Sequence, residues 1–145
     1  MKPKTKSRHA IAASRLLLAA SAAIFAFGAV MHAIAYHTKA QASIAAAGLP
    51  RFLALELNVL WLADSTTLLG LALVFGFVAL KPRAATGSLI ILLCSIPAGT
   101  TALLYLFLGP FYAGHLLLLA CATAIGAGLL MLTATDGDTN VPARS

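Results

Sequence analysis

Apolar residues in this chain gather into four long runs, divided by short stretches of polar and turn-forming residues. The runs extend from about Leu16 to Tyr36, Phe52 to Leu80, Gly87 to Leu108 and Phe111 to Thr133. Each supplies the ~20 mostly apolar residues that a helix needs to cross ~30 Å of hydrocarbon. Gly48-Leu49-Pro50, Lys81-Pro82-Arg83 and Gly109-Pro110 punctuate the connections as turns do. The pattern predicts an all-α integral membrane four-helix bundle over residues 16–133. A basic tail over residues 1–15 precedes it and a disordered tail over 134–145 follows.

Composition agrees with lipid as the solvent. Of 145 residues, 61% are hydrophobic and only 10% charged, with a mean hydropathy of +0.95. A water-exposed domain of this length could not cover so much apolar surface with so few charges. The basic residues then orient the spans. Lys2, Lys4, Lys6, Arg8, Arg15, Lys81, Arg83 and Arg144 fall on one side of the predicted topology, and only Lys39 and Arg51 on the other. The positive-inside rule puts the first group, and both termini, in the cytoplasm. A cleaved signal peptide is disfavoured, because the first run exceeds a typical h-region of about 7–15 residues and has no polar stretch before Met31-His32. The expected location is a bacterial inner membrane, with the lipid bilayer as the first partner.

The net charge of +6 does not indicate nucleic acid, since no aromatic or glycine-rich platform accompanies the basic residues. Cys94 and Cys121 stand on separate runs without CxxC spacing and read as small core residues. Small residues four apart, Ala19/Ala23 and Ala120/Ala124/Gly128, predict close helix approaches. Pro97 predicts a kink in the third span, with Ser95, Thr100 and Thr101 at hand to satisfy the loosened backbone. No internal repeat is evident, which argues against an inverted-repeat transporter within one chain. Asp136-Gly137-Asp138-Thr139-Asn140 begins like a calcium loop, but Val141 stands where that loop needs glycine.

The chemistry of interest lies in the second run, which holds two of the chain's four acidic residues. A charged side chain at the centre of a spanning helix costs about 2.5–3.5 kcal/mol on insertion scales, so Glu56 and Asp64 need a reason to be there. At ~100° per residue Glu56, Leu60, Asp64, Thr67 and Gly70 share one face, which is expected to point inward, with Trp61 beside it. Glu56 is expected near the outer boundary and Asp64 about 12 Å deeper, close to the midplane. On the first and fourth runs, His32 and His115 are expected at the depth of Glu56, with Tyr36 and Tyr112 on their faces. Two histidines and a carboxylate from three helices could bind a divalent metal, with His32, Glu56 and His115 as ligands. They could equally form a proton-accepting site. The plainer alternative makes His32, His115, Tyr36, Tyr105 and Tyr112 an interfacial belt. Asp64 at the midplane has no such simple structural role. No cofactor is otherwise indicated.

Leu55-Glu56-Leu57-Asn58-Val59-Leu60-Trp61, with a histidine near the end of the first span, resembles small four-helix bacterial inner-membrane proteins without assigned activity. The resemblance implies the hydropathy layout and no reaction. Small multidrug transporters share the size, but their acidic residue is in the first helix, where this chain has none. The expectation is a non-enzymatic accessory or small-ligand-binding membrane protein, with a polar cluster centred on Asp64. A proton- or metal-linked transporter acting as a homo-oligomer is the second reading, and an intramembrane metalloenzyme the third. A membrane-protein partner is the further partner expected.

Overall fold

The computed structural model describes the backbone of residues 4–139 and the side chains of residues 8–134. Those residues are all-α, with four helices long and apolar enough to cross a membrane. The first comprises α1 (Lys4–Ala35), a π-helical turn (Tyr36–Ala40) and α2 (Gln41–Ala46) in one unbroken rod. The second is α3 (Arg51–Leu80), the third is divided into α4 (Gly87–Leu93) and α5 (Ser95–Leu108), and the fourth is α6 (Tyr112–Thr139).

The first helix is longer than the hydropathy pattern indicates at both ends. No proline stands between Pro3 and Pro50, and Thr38 returns its hydroxyl to the Ile34 carbonyl at 2.8 Å. The π turn inserts an extra residue, which keeps Tyr36 and Ala40 buried on one side. Residues 4–15, expected as a tail, belong to α1, and α6 continues to Thr139 through residues expected to be disordered. The rest of the two tails, residues 1–3 and 140–145, lies outside the described residues.

Helix α1 is the middle element. It packs lengthwise against α3 and against α6, and the third span packs on α6. The spatial order is therefore second, first, fourth and third span. Ser14, Leu18, Ser21, Phe25 and Ala29 form the buried stripe of α1, spaced three or four apart. Ser21 donates to the Ala120 carbonyl at 2.9 Å, a buried bond from α1 to α6. Ala19 and Ala23, expected as the close-packing stripe, are instead exposed. Ser21 ties this face of α1 to α6, whereas Ser14 donates to the Ile11 carbonyl of α1 itself at 2.9 Å.

Ala120, Ala124 and Gly128 are buried as the spacing predicts. Gly128 meets Gly87 where α4 crosses α6, and a Cβ on Gly128 would lie 2.9 Å from the Gly87 carbonyl oxygen. Phe25 and Phe75 sit at the centre of the α1–α3 contact with ring centroids 5.7 Å apart. Cys94 and Cys121 are free and buried in the core.

Pro97 interrupts the third span at Cys94, between α4 and α5. Its ring nitrogen has no hydrogen to give the Leu93 carbonyl. The nearby hydroxyls do not replace that bond as expected. Thr101 donates to the Pro97 carbonyl at 2.8 Å and Thr100 to the Ile96 carbonyl at 3.2 Å. Both acceptors lie within α5, so the break at Cys94 stays in place. At the far end of α5 the chain turns through Gly109 at φ 74°, a conformation open to glycine because it lacks a Cβ.

Candidate functional site

The antiparallel seam between α1 and α3 brings polar residues together in sequence order. Arg15 Nε donates to the Ala79 carbonyl at 2.8 Å at one end, and the Tyr36 hydroxyl donates to Asn58 Oδ1 at 2.9 Å towards the other. Between them lies the cluster that contains Asp64. His32 Nε2 is 3.4 Å from Asp64 Oδ2, and His32 Nδ1 is 2.9 Å from the Ser65 hydroxyl. The Trp61 indole N–H donates to the His32 carbonyl at 3.1 Å, and its ring stacks on the imidazole at 4.6 Å and 19°.

Each partner fixes another. Trp61, Asp64 and Ser65 project from adjacent positions of one helical turn, so α3 offers a ring face, a carboxylate and a hydroxyl to the same imidazole. Ser65 also lies 3.4 Å from the Trp61 carbonyl. With neutral His32 protonated at Nε2, the Ser65 hydroxyl donates to Nδ1. With the imidazolium, Nδ1–H donates to Ser65 and the hydroxyl turns to the Trp61 carbonyl. Both protonation states of His32 are satisfied without moving a heavy atom.

The His32 and Asp64 side chains keep 27% and 40% of their surface accessible. That surface lines a cleft of about 620 Å³ between α3 and α5, with α1 and α6 as its other walls. The cleft is chiefly apolar: Met31, Leu60, Leu68, Leu104 and Leu116 contribute to its lining. Thr100 of α5 and Tyr112 of α6 also line it. Along α3, Asp64 stands about 20 Å from the Arg51 end and about 24 Å from the Leu80 end at 1.5 Å per residue. The carboxylate is thus near the middle of a helix long enough to span a bilayer.

The remaining sequence candidates divide. His32, Asp64 and Tyr112 share the cleft. Tyr36 belongs to the same seam but bonds Asn58. Glu56 and Thr67 are exposed on α3, so the face they share with Leu60 is not the inward one. Asn58, Trp61, Ser65, Leu68 and Ala72 turn towards the bundle more than that face does. Thr67 bonds only the Ala63 carbonyl of its own helix, at 2.9 Å.

His115 lies elsewhere. Its Nδ1 is 2.6 Å from the Tyr105 hydroxyl, in a pair exposed at the α5–α6 turn. Tyr105 rests directly on Gly114, where a Cβ would collide with the ring. His32, Glu56 and His115 are therefore not assembled into one site. Among the described residues no group of three or more His, Cys, Asp and Glu is placed to hold a metal ion. The misplacement comes from depth. Because the first helix runs on to Ala46, His32 sits about four turns before its end, level with Asp64 and not with Glu56.

No protein-family model, curated protein or solved structure matches the chain. Four apolar helices point to a multi-pass membrane protein.

Proposed function

We propose that this chain is a multi-pass protein of a bacterial inner membrane, with both termini cytoplasmic, that binds a small apolar ligand carrying one polar end. The single observation behind this reading is the half-buried His32–Asp64 pair on the wall of an apolar cleft. Apolar pockets with a few convergent polar groups are the usual form of small-molecule sites. A carboxylate so far from either helix end is costly unless something uses it. The roughly 620 Å³ of space falls within the ~300–1,000 Å³ common for such sites.

Trp61 supplies the test. It is the chain's single tryptophan, and it stacks on His32 inside the cleft. Purified protein in phosphatidylcholine vesicles is titrated with arylalkyl compounds that share one apolar body and differ in head group. Binding produces a saturable change in Trp61 emission that weakens at least tenfold in Ala113→Phe, which narrows the cleft from α6. A purely linear, unsaturable change in both proteins would defeat the reading.

A further inference from the structure

The hydrogen-bonding groups around Asp64 narrow the ligand further, on the premise that the cleft is a ligand site. Donors at that wall are already committed. Trp61 N–H goes to the His32 carbonyl, His32 Nε2 faces Asp64 Oδ2, and Ser65 serves His32 Nδ1. Across the cleft, Thr100 gives its hydroxyl to the Ile96 carbonyl. At the Asp64 wall what stays open is an acceptor: Asp64 Oδ1 has no hydrogen-bond partner among the described residues. A ligand head that meets this wall must therefore donate.

Charge selects among donors. His32, Asp64 and Tyr112 are the ionisable residues that line the cleft, one each from α1, α3 and α6, and α5 contributes none. No lysine or arginine among the described residues lines it. Among the described residues only His32 stands within ion-pair reach of Asp64, and it meets Oδ2. A ligand cation on Oδ1 leaves that contact and the bond of His32 to Ser65 in place. Aromatic rings of Phe27, Trp61, Phe111 and Tyr112 around the same space favour a cation over a neutral head.

We propose that the cleft binds lipophilic amines in their protonated form, with the ammonium donating to Asp64 Oδ1 and the apolar body lying among the aromatic rings.

4-Phenylbutylamine and 4-phenylbutanol differ only in the head group and serve as probes. They are titrated into the purified protein, with Trp61 emission reporting binding. The amine binds at least tenfold more tightly than the alcohol. Asp64→Asn removes that preference, bringing the amine to the affinity of the alcohol. If the alcohol matches the amine, the amine assignment falls while the ligand site stands. If neither probe binds, both fall. The comparison on the unaltered protein decides the matter even if Asp64→Asn does not fold.

Discussion

Replacing His32 by alanine should destabilise the chain more than replacing Asp64 by asparagine, although both break the same pair. His32→Ala removes the 3.4 Å contact to Asp64, the 2.9 Å bond to Ser65 and the 4.6 Å stack on Trp61. Interhelical hydrogen bonds in membranes average about 0.6 kcal/mol, and an aromatic stack adds about 0.5–1.5 kcal/mol. The larger consequence is an unpaired carboxylate. Breaking a fully buried pair costs about 3–5 kcal/mol, but with side chains 27% and 40% accessible only a fraction applies. The total comes to about 2–3 kcal/mol, roughly 30- to 150-fold in the folding equilibrium. Asp64→Asn instead removes the charge and leaves an amide that can still meet His32, so its effect stays within about 1 kcal/mol. The double variant should recover part of the His32→Ala loss, because no charge is then stranded. Unfolding from dodecylmaltoside into sodium dodecyl sulfate, followed by far-UV circular dichroism, gives the three values. An Asp64→Asn loss equal to or greater than that of His32→Ala would refute the reasoning.

Further outcomes follow from other parts of the fold. Gly87→Ala puts a methyl group against the Gly128 backbone, and should lower stability by about 1–3 kcal/mol in the same titration by forcing α4 away from α6. Gly114→Ala collides with the Tyr105 ring and should separate Tyr105 from His115, read as a change in the His115 ring resonances, while Trp61 emission stays unchanged. Ser21→Ala removes the buried side-chain bond from α1 to α6, and should cost about 0.5–1.5 kcal/mol. For topology, Lys39→Cys should react with a membrane-impermeant maleimide in whole cells and Arg83→Cys should not, with Cys94 and Cys121 replaced by alanine; the reverse labelling would overturn the cytoplasmic assignment of the termini.

The periodicity of apolar residues locates four helices because the chain must satisfy its backbone internally wherever water is absent, and the turns carry glycine and proline in plain view. The ends are less legible. Tyr36 to Ala46 contains His37, Thr38, Lys39 and Gln41, which lower the local hydropathy but do not break a helix. An error in length becomes an error in depth, and pairs His32 with Glu56 when its partner is Asp64. Rotation is equally hidden. The pattern turns the acidic face of α3 inward, yet the side of α3 that meets α1 is set by Trp61, Ser65, Leu68 and Phe75. Asp64 reaches the cleft because it lies at the border between the two faces. Ser65, immediately after Asp64, and Asn58 are the polar neighbours that could have revealed the seam, since each needs a partner inside an apolar helix. The partner itself, a residue on another helix, is not encoded in any local spacing.

Where a ligand sits can be read directly by photolabelling. An arylalkyl amine bearing a diazirine is irradiated with the protein in vesicles, and the modified residues are mapped by mass spectrometry. The account predicts labels concentrated on cleft residues such as Met31, Trp61, Leu104 and Ala113, suppressed by excess 4-phenylbutylamine. Labels spread over outward residues such as Val59, Leu73 and Leu106, unaffected by the competitor, would contradict it.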